Sequence, residues 1–240
     1  MHRIYRTVLL FALGACMVMA PAAGAAADRA YIFAIDISSS ISGCTENIMV
    51  KNMSIFRQSV EALGKNDKVI VMAFGWLGKP AIIVNTAMPE RGGGGGRLLA
   101  EKKREVLHSV SEFLKGAKQA VDDRATDIAG ALSECSLVMG DLGGADISLV
   151  VFSDGQQTMG LPSSALRSIN NIAVYGPAME KYLQDKKIQM KGEVTWYGDT
   201  CSSKGMSHGE FAAFQGGIKR LWTDYLMAQG AKVDYHLFYN

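Results

Sequence analysis

Short runs that are apolar on both faces alternate with helix-length segments that are apolar on one. This alternation constrains the fold more than any other feature of the sequence. Ala30–Asp36 (AYIFAID), Lys68–Gly75 (KVIVMAFG) and Ile147–Phe152 (ISLVVF) have no polar alternation, so both faces of each must be covered. Between them, Glu46–Leu63 places Ile48, Met49, Phe56, Val60 and Leu63 on a helical stripe. Leu98–Val121 does the same with Leu107, Val110, Leu114, Ala117 and Val121. Further helices are predicted at Thr126–Met139, Pro177–Lys187 and Gly209–Gln229. The last has the strongest periodicity, through Phe211, Phe214, Ile218, Leu221, Trp222 and Tyr225. Ala81–Val84, Gly192–Tyr197 and Lys232–Tyr239 complete the strands. The prediction is an α/β fold: a doubly wound, mostly parallel sheet flanked by helices.

Composition narrows the function. The 240 residues carry 25 Lys+Arg and 23 Asp+Glu, with 20% charged and 48% hydrophobic residues. This balance excludes a disordered chain and gives no basic face for nucleic acid. Two of the basic residues, Arg3 and Arg6, precede an apolar run from Val8 to Ala20 and the small-residue stretch Pro21–Ala27. Residues 1–27 therefore read as a secretory signal peptide with cleavage after Ala25 or Ala27, leaving a single domain over 28–240 with zero formal charge. Export to the periplasm or the extracellular space is expected. Leu13-Gly14-Ala15-Cys16 offers the alternative of a lipid anchor at Cys16, although the segment stays apolar beyond it.

In a doubly wound sheet, chemistry gathers where strands end. The first strand ends in Asp36-Ile37-Ser38-Ser39-Ser40, and i, i+2, i+4 spacing turns Asp36, Ser38 and Ser40 the same way. Thr126 opens a helix, and ISLVVF delivers Asp154 in a Ser-Asp-Gly turn. Two carboxylates about 5 Å apart repel by roughly 3 kcal/mol at an effective dielectric of ~20. A hard divalent cation, Mg²⁺ or Mn²⁺, is their natural neutraliser among hydroxyl donors. Asp127 reads as a helix N-terminal charge, Asp122 and Asp123 as solvated loop charges, and His108 as a surface histidine.

Asp36-x-Ser38-x-Ser40, then Thr126 in Thr-Asp-Ile-Ala-Gly-Ala-Leu, then Ser153-Asp154-Gly155, resembles von Willebrand factor type A (VWA) domains of the bacterial exported type. The resemblance covers nearly all of 28–240 and implies a Rossmann-like fold. It also implies a metal-ion-dependent adhesion site in which Asp36, Ser38, Ser40, Thr126 and Asp154 hold Mg²⁺ directly or through water. The implied role is protein binding without catalysis, the partner supplying an Asp or Glu carboxylate.

Two alternatives differ from this. One is a secreted serine hydrolase: Gly205-Met206-Ser207-His208-Gly209 matches G-x-S-x-G, with Asp224 or Asp234 and His236 following in order. Its elbow would need a strand running into Gly205, where a polar loop (Gly198–Lys204) stands instead. The other is a VWA scaffold without metal. The Gly92–Gly96 run lacks the Lys-Ser/Thr of a phosphate loop and reads as a connector that no helix enters. Cys44 and Cys201 are a candidate disulfide, both expected toward the carboxyl edge of the sheet, with Cys135 left as a buried helical thiol. Trp76 falls near the same rim. The stretch Gly160–Tyr175 and the loop Gly198–Gly209 carry no recognisable motif.

Overall fold

The computed structural model describes residues 29–38, 47–75, 79–90, 96–117, 126–143, 145–186, 188–190, 192–198 and 206–237. Six strands form one sheet: β1 (Arg29–Asp36), β2 (Lys68–Phe74), β3 (Ala81–Ala87), β4 (Asp146–Phe152), β5 (Glu193–Gly198) and β6 (Lys232–Leu237). Their spatial order is β3-β2-β1-β4-β5-β6, all parallel except β3, which runs antiparallel to β2. The helices are α1 (Asn47–Ala62), α2 (Gly96–Ala117), α3 (Ile128–Asp141), α4 (Ser163–Arg167), α5 (Ile172–Gln184) and α6 (His208–Ala228). The predicted α/β architecture is the observed one.

The pleat sorts each central strand between two cores. Ile32 and Ala34 of β1 face a layer built on α3, α5 and α6, with Leu132, Met179, Phe214 and Trp222. Phe33 and Ile35 face the opposite layer, where α1 and α2 supply Phe56, Val60, Val106, Val110 and Leu114. Strands β1, β2 and β4 are buried on both sides, which is why they read as unbroken apolar runs. Chain order on the sheet reverses between β1 and β4, so the loops leaving these two strands flank a crevice.

Several boundaries differ from expectation. Strand β3 extends to Ala87, because its antiparallel ladder with β2 continues to the Lys68–Ala87 pair. Gly96 is the first residue of α2, so a helix does enter the glycine run. A glycine at a helix end costs little there, since the first turn's N–H groups lack intrahelical partners in any case. Helix α5 begins at Ile172 instead of Pro177: Asn171 caps it by accepting from Ala173 N at 3.1 Å, and Pro177 lies inside it. A proline removes one helical hydrogen bond. Here the buried Tyr175, Met179 and Leu183 stripe outweighs that loss. The unassigned stretch Gly160–Tyr175 thus contains α4 and the start of α5. In α2 the deepest residues are Val106, Val110 and Leu114, with Leu107 and Ala117 packed at the margin. His108 is exposed, as expected. No helix among the described residues is long and apolar enough to cross a membrane.

Candidate functional site

Asp36 is the last residue of β1 and is 1% exposed. Its Oδ1 accepts from Ser38 N at 2.9 Å, which bends the chain after the strand. Its Oδ2 accepts from Ser153 Oγ at 2.7 Å, across to the loop leaving β4. The register requires this meeting: Ile35 pairs with Phe152, so the next residues out, Asp36 and Ser153, are neighbours. Burial pushes the Asp36 carboxyl above its ordinary range, and the hydrogen bonds from Ser153 and Ser38 pull it partly back. Gly75, after β2, closes the third side. Its φ is +113°, and a Cβ there would lie 2.5 Å from Ser38 N and 2.9 Å from Asp36 Oδ1.

The β4 exit loop is held from below. Trp196 Nε1 donates to Ser153 O at 2.9 Å, and Trp222 Nε1 donates to Gly155 O at 2.8 Å. Those two indoles stack at 5.2 Å, and Tyr235 also stacks on Trp196 at 5.4 Å. Buried carbonyls in a non-repetitive loop need donors, and the indole N–H groups provide them from fully covered rings. Asp154 is 1% exposed, and its Oδ1 accepts from Gln156 N at 2.9 Å. Its charge contributes to raising the buried Tyr175 and Tyr235 phenols, second to their burial.

Thr126, 4% exposed, is tied to the same loop. Its N–H donates to Thr158 Oγ1 at 2.6 Å, while Thr158 N and Met159 N donate to its carbonyl at 3.0 and 3.2 Å. Asp127 caps α3, accepting from Gly130 N at 2.9 Å, which fulfils its expected place at the helix N-terminus. The structure thus links the segments carrying Asp36, Ser38, Thr126 and Asp154 through the β4 exit loop. Ser40, Cys44, Cys201 and Trp76 lie outside the described residues, as do 1–28, 91–95 and 199–205. Cys135 is a free, fully buried thiol whose pKa burial pushes up to about 12.

The donor chemistry is specific. No group of three or more His, Cys, Asp or Glu side chains is poised for a metal among the described residues. What the crest holds instead is two buried carboxylates, Asp36 and Asp154, with the hydroxyl-bearing Ser38 and Thr126, all 4% exposed or less. Oxygen donors with few carboxylates fit Mg²⁺ or Mn²⁺ and suit neither zinc nor copper.

Two supporting residues escaped the sequence reading. In the sequence Ser153 is only the first residue of the Ser-Asp-Gly turn, and its role follows from strand register. Gln157, 0% exposed, gave no sequence signal at all.

Ser207, the serine of the G-x-S-x-G alternative, stands at the N-cap of α6. Its hydroxyl donates to Glu210 Oε2 at 2.7 Å and accepts from Glu210 N at 3.3 Å, a capping box that starts α6. Asp224 pairs with Arg220 at 3.4 Å on α6, and Asp234 pairs with His236 at 3.0 Å on the edge strand.

No protein-family model matches the sequence, and no curated protein matches it. Among solved structures, the PilB minor pilin of Streptococcus sanguinis has a TM-score of 0.51 at 14% identity, over 90% of this chain and 58% of the pilin. A von Willebrand factor type A protein of Catenulispora acidiphila scores 0.47 at 10% identity, over 89% of this chain and 39% of that one. BatB of Bacteroides thetaiotaomicron scores 0.46 at 15% identity, over 88% of this chain and 91% of its own. At such identities the likeness is one of architecture. For the minor pilin, whose TM-score passes 0.5, it agrees with the six-stranded, mostly parallel sheet flanked by helices described above.

Proposed function

We propose that this chain is a non-catalytic protein-binding module that captures a partner's Asp or Glu carboxylate on a divalent cation. Asp36, Ser38, Thr126 and Asp154, with Ser40 two positions after Ser38 in the sequence, would hold Mg²⁺, or Mn²⁺ in its place. The observation that carries this reading is the burial of two carboxylates beside two hydroxyl residues on loops tied to one another. A desolvated carboxylate is stabilised by hydrogen bonds, by a proton or by a cation, and a divalent cation can neutralise two carboxylates at once. The bound ion would supply Lewis-acid attraction for a foreign carboxylate. The chain's own part is to keep the donors oriented and dry through Ser153, Gly75 and the two indoles.

Residues 1–27 serve as an export signal, which places the module outside the cytoplasm, either released or held by a lipid on Cys16. The hydrolytic alternative is weakened by the engagement of Ser207 with Glu210.

Calorimetric titration with Mg²⁺ tests the site. The wild-type chain should bind one ion, and Asp36→Ala and Asp154→Ala should each abolish that binding while circular dichroism is retained. Partner capture should then disappear in chelator. Heat of Mg²⁺ binding unchanged in both variants would refute the assignment.

A further inference from the structure

The structure assigns Gln157 as the positioning residue that sets Thr126 in place relative to Asp154. The inference rests on the reading of this crest as a cation site and goes beyond it by naming what holds its halves together. Thr126 and Asp154 are not covalent neighbours, and a cation shared between them needs their separation held to a fraction of an ångström. Gln157 follows Asp154 by three residues, and its side chain crosses to the other segment.

Its Oε1 accepts from Ile128 N at 2.7 Å and from Ala129 N at 3.1 Å, the first two amides of α3. Those amides have no intrahelical acceptor, so one buried carbonyl satisfies two donors and fixes the helix start. Its Nε2 donates to Asp127 Oδ1 at 3.1 Å and to Met159 O at 2.7 Å, and reaches Tyr182 Oη at 3.5 Å. The Gln157 carbonyl accepts from Tyr175 Oη at 2.9 Å, anchoring the residue to α5.

An amide is suited to this place because it is both acceptor and donor. A glutamate would set a second negative charge against Asp127, and an apolar side chain would leave two helix amides without an acceptor. The arrangement also explains Gly130, where a Cβ would collide with the Asp127 carboxylate that Gln157 holds.

The test compares Mg²⁺ affinity by calorimetry in the wild-type chain, in Gln157→Met and in Leu132→Ala. The last is a core truncation in α3 that perturbs stability without touching the bridge. Gln157→Met should weaken Mg²⁺ by about tenfold or more, as loss of outer-shell support of a metal ligand does. Leu132→Ala should stay within about twofold, since its effect falls on folding. Amide exchange at Ile128 and Ala129 in the metal-free chain should quicken in Gln157→Met beyond any change in global stability.

Gln157→Asn, which keeps the amide but shortens its reach, serves if the Met variant does not fold, and the same loss of affinity is expected. Equal Mg²⁺ affinity in wild type and the Gln157 variant would overturn the assignment while leaving the cation site standing. So would an equal loss in Gln157→Met and Leu132→Ala. A wild-type chain that binds no Mg²⁺ would instead sink the cation reading itself, and this one with it.

Discussion

Gly75→Ala is the sharpest perturbation of the crest, because it acts on backbone and site together. The residue has φ +113°, which an L side chain rarely adopts, and forcing alanine there costs about 1–3 kcal/mol. The added Cβ would lie 2.5 Å from Ser38 N and 2.9 Å from Asp36 Oδ1, so the Asp36–Ser38 turn must shift. Overpacking of this kind costs a further ~1–3 kcal/mol. Reduced freedom of the unfolded chain returns about 0.4–1 kcal/mol. The net loss is roughly 1–5.5 kcal/mol, to be set against a typical domain's 5–15 kcal/mol. Urea unfolding of the metal-free chain measures it. Gly140→Ala is the matched control: it lies in α3 with nothing within 4 Å of the new methyl, so it should gain about 0.5–1 kcal/mol. A Gly75→Ala loss under about 1 kcal/mol would show that the crest is looser than these contacts require. Because Ser38 is displaced, Mg²⁺ affinity should fall in the same variant.

Two further outcomes are expected. Ser207→Ala removes the capping box of α6 and should destabilise the chain by about 1 kcal/mol at neutral pH. The Ser207 hydroxyl, and then its backbone N–H, hold the Glu210 carboxyl below its ordinary value. A depressed folded value stabilises above the unfolded value and loses that contribution as pH falls through the folded one. The gap between wild type and Ser207→Ala should therefore narrow in acid, and thermal melts at neutral and acid pH that show a constant gap would contradict this. Cys135, with its thiol raised to about 12 and its side chain 0% exposed, should resist alkylation at pH 8 until denaturant is added. Peptide mapping that finds Cys135 alkylated in the folded chain would refute its burial.

Legibility of the fold tracked how local each signal was. Strands β1, β2 and β4 were readable because burial on both faces leaves no polar positions to confuse the pattern. The start of α5 was not, because Pro177 signals a break that a buried stripe and the Asn171 cap override. Asp36, Thr126 and Asp154 announced themselves as polar residues at strand and helix ends. Ser153 became significant only through the β1–β4 register. Gln157 was invisible, since its partners Ile128 and Ala129 lie 29 and 28 positions away in sequence.

The order of residues by itself determined that a sheet covered on both faces would form and that oxygen-bearing side chains would stand at its strand ends. Hydrophobic periodicity and turn chemistry act over a few residues, so they are written in the chain. Tertiary structure alone decided which of those ends became neighbours, how Gly75 and Ser153 enclose Asp36, and that one buried amide bridges Asp127 and α3 to the Asp154 loop. Such contacts depend on strand order and register, which arise from the packing of the whole sheet.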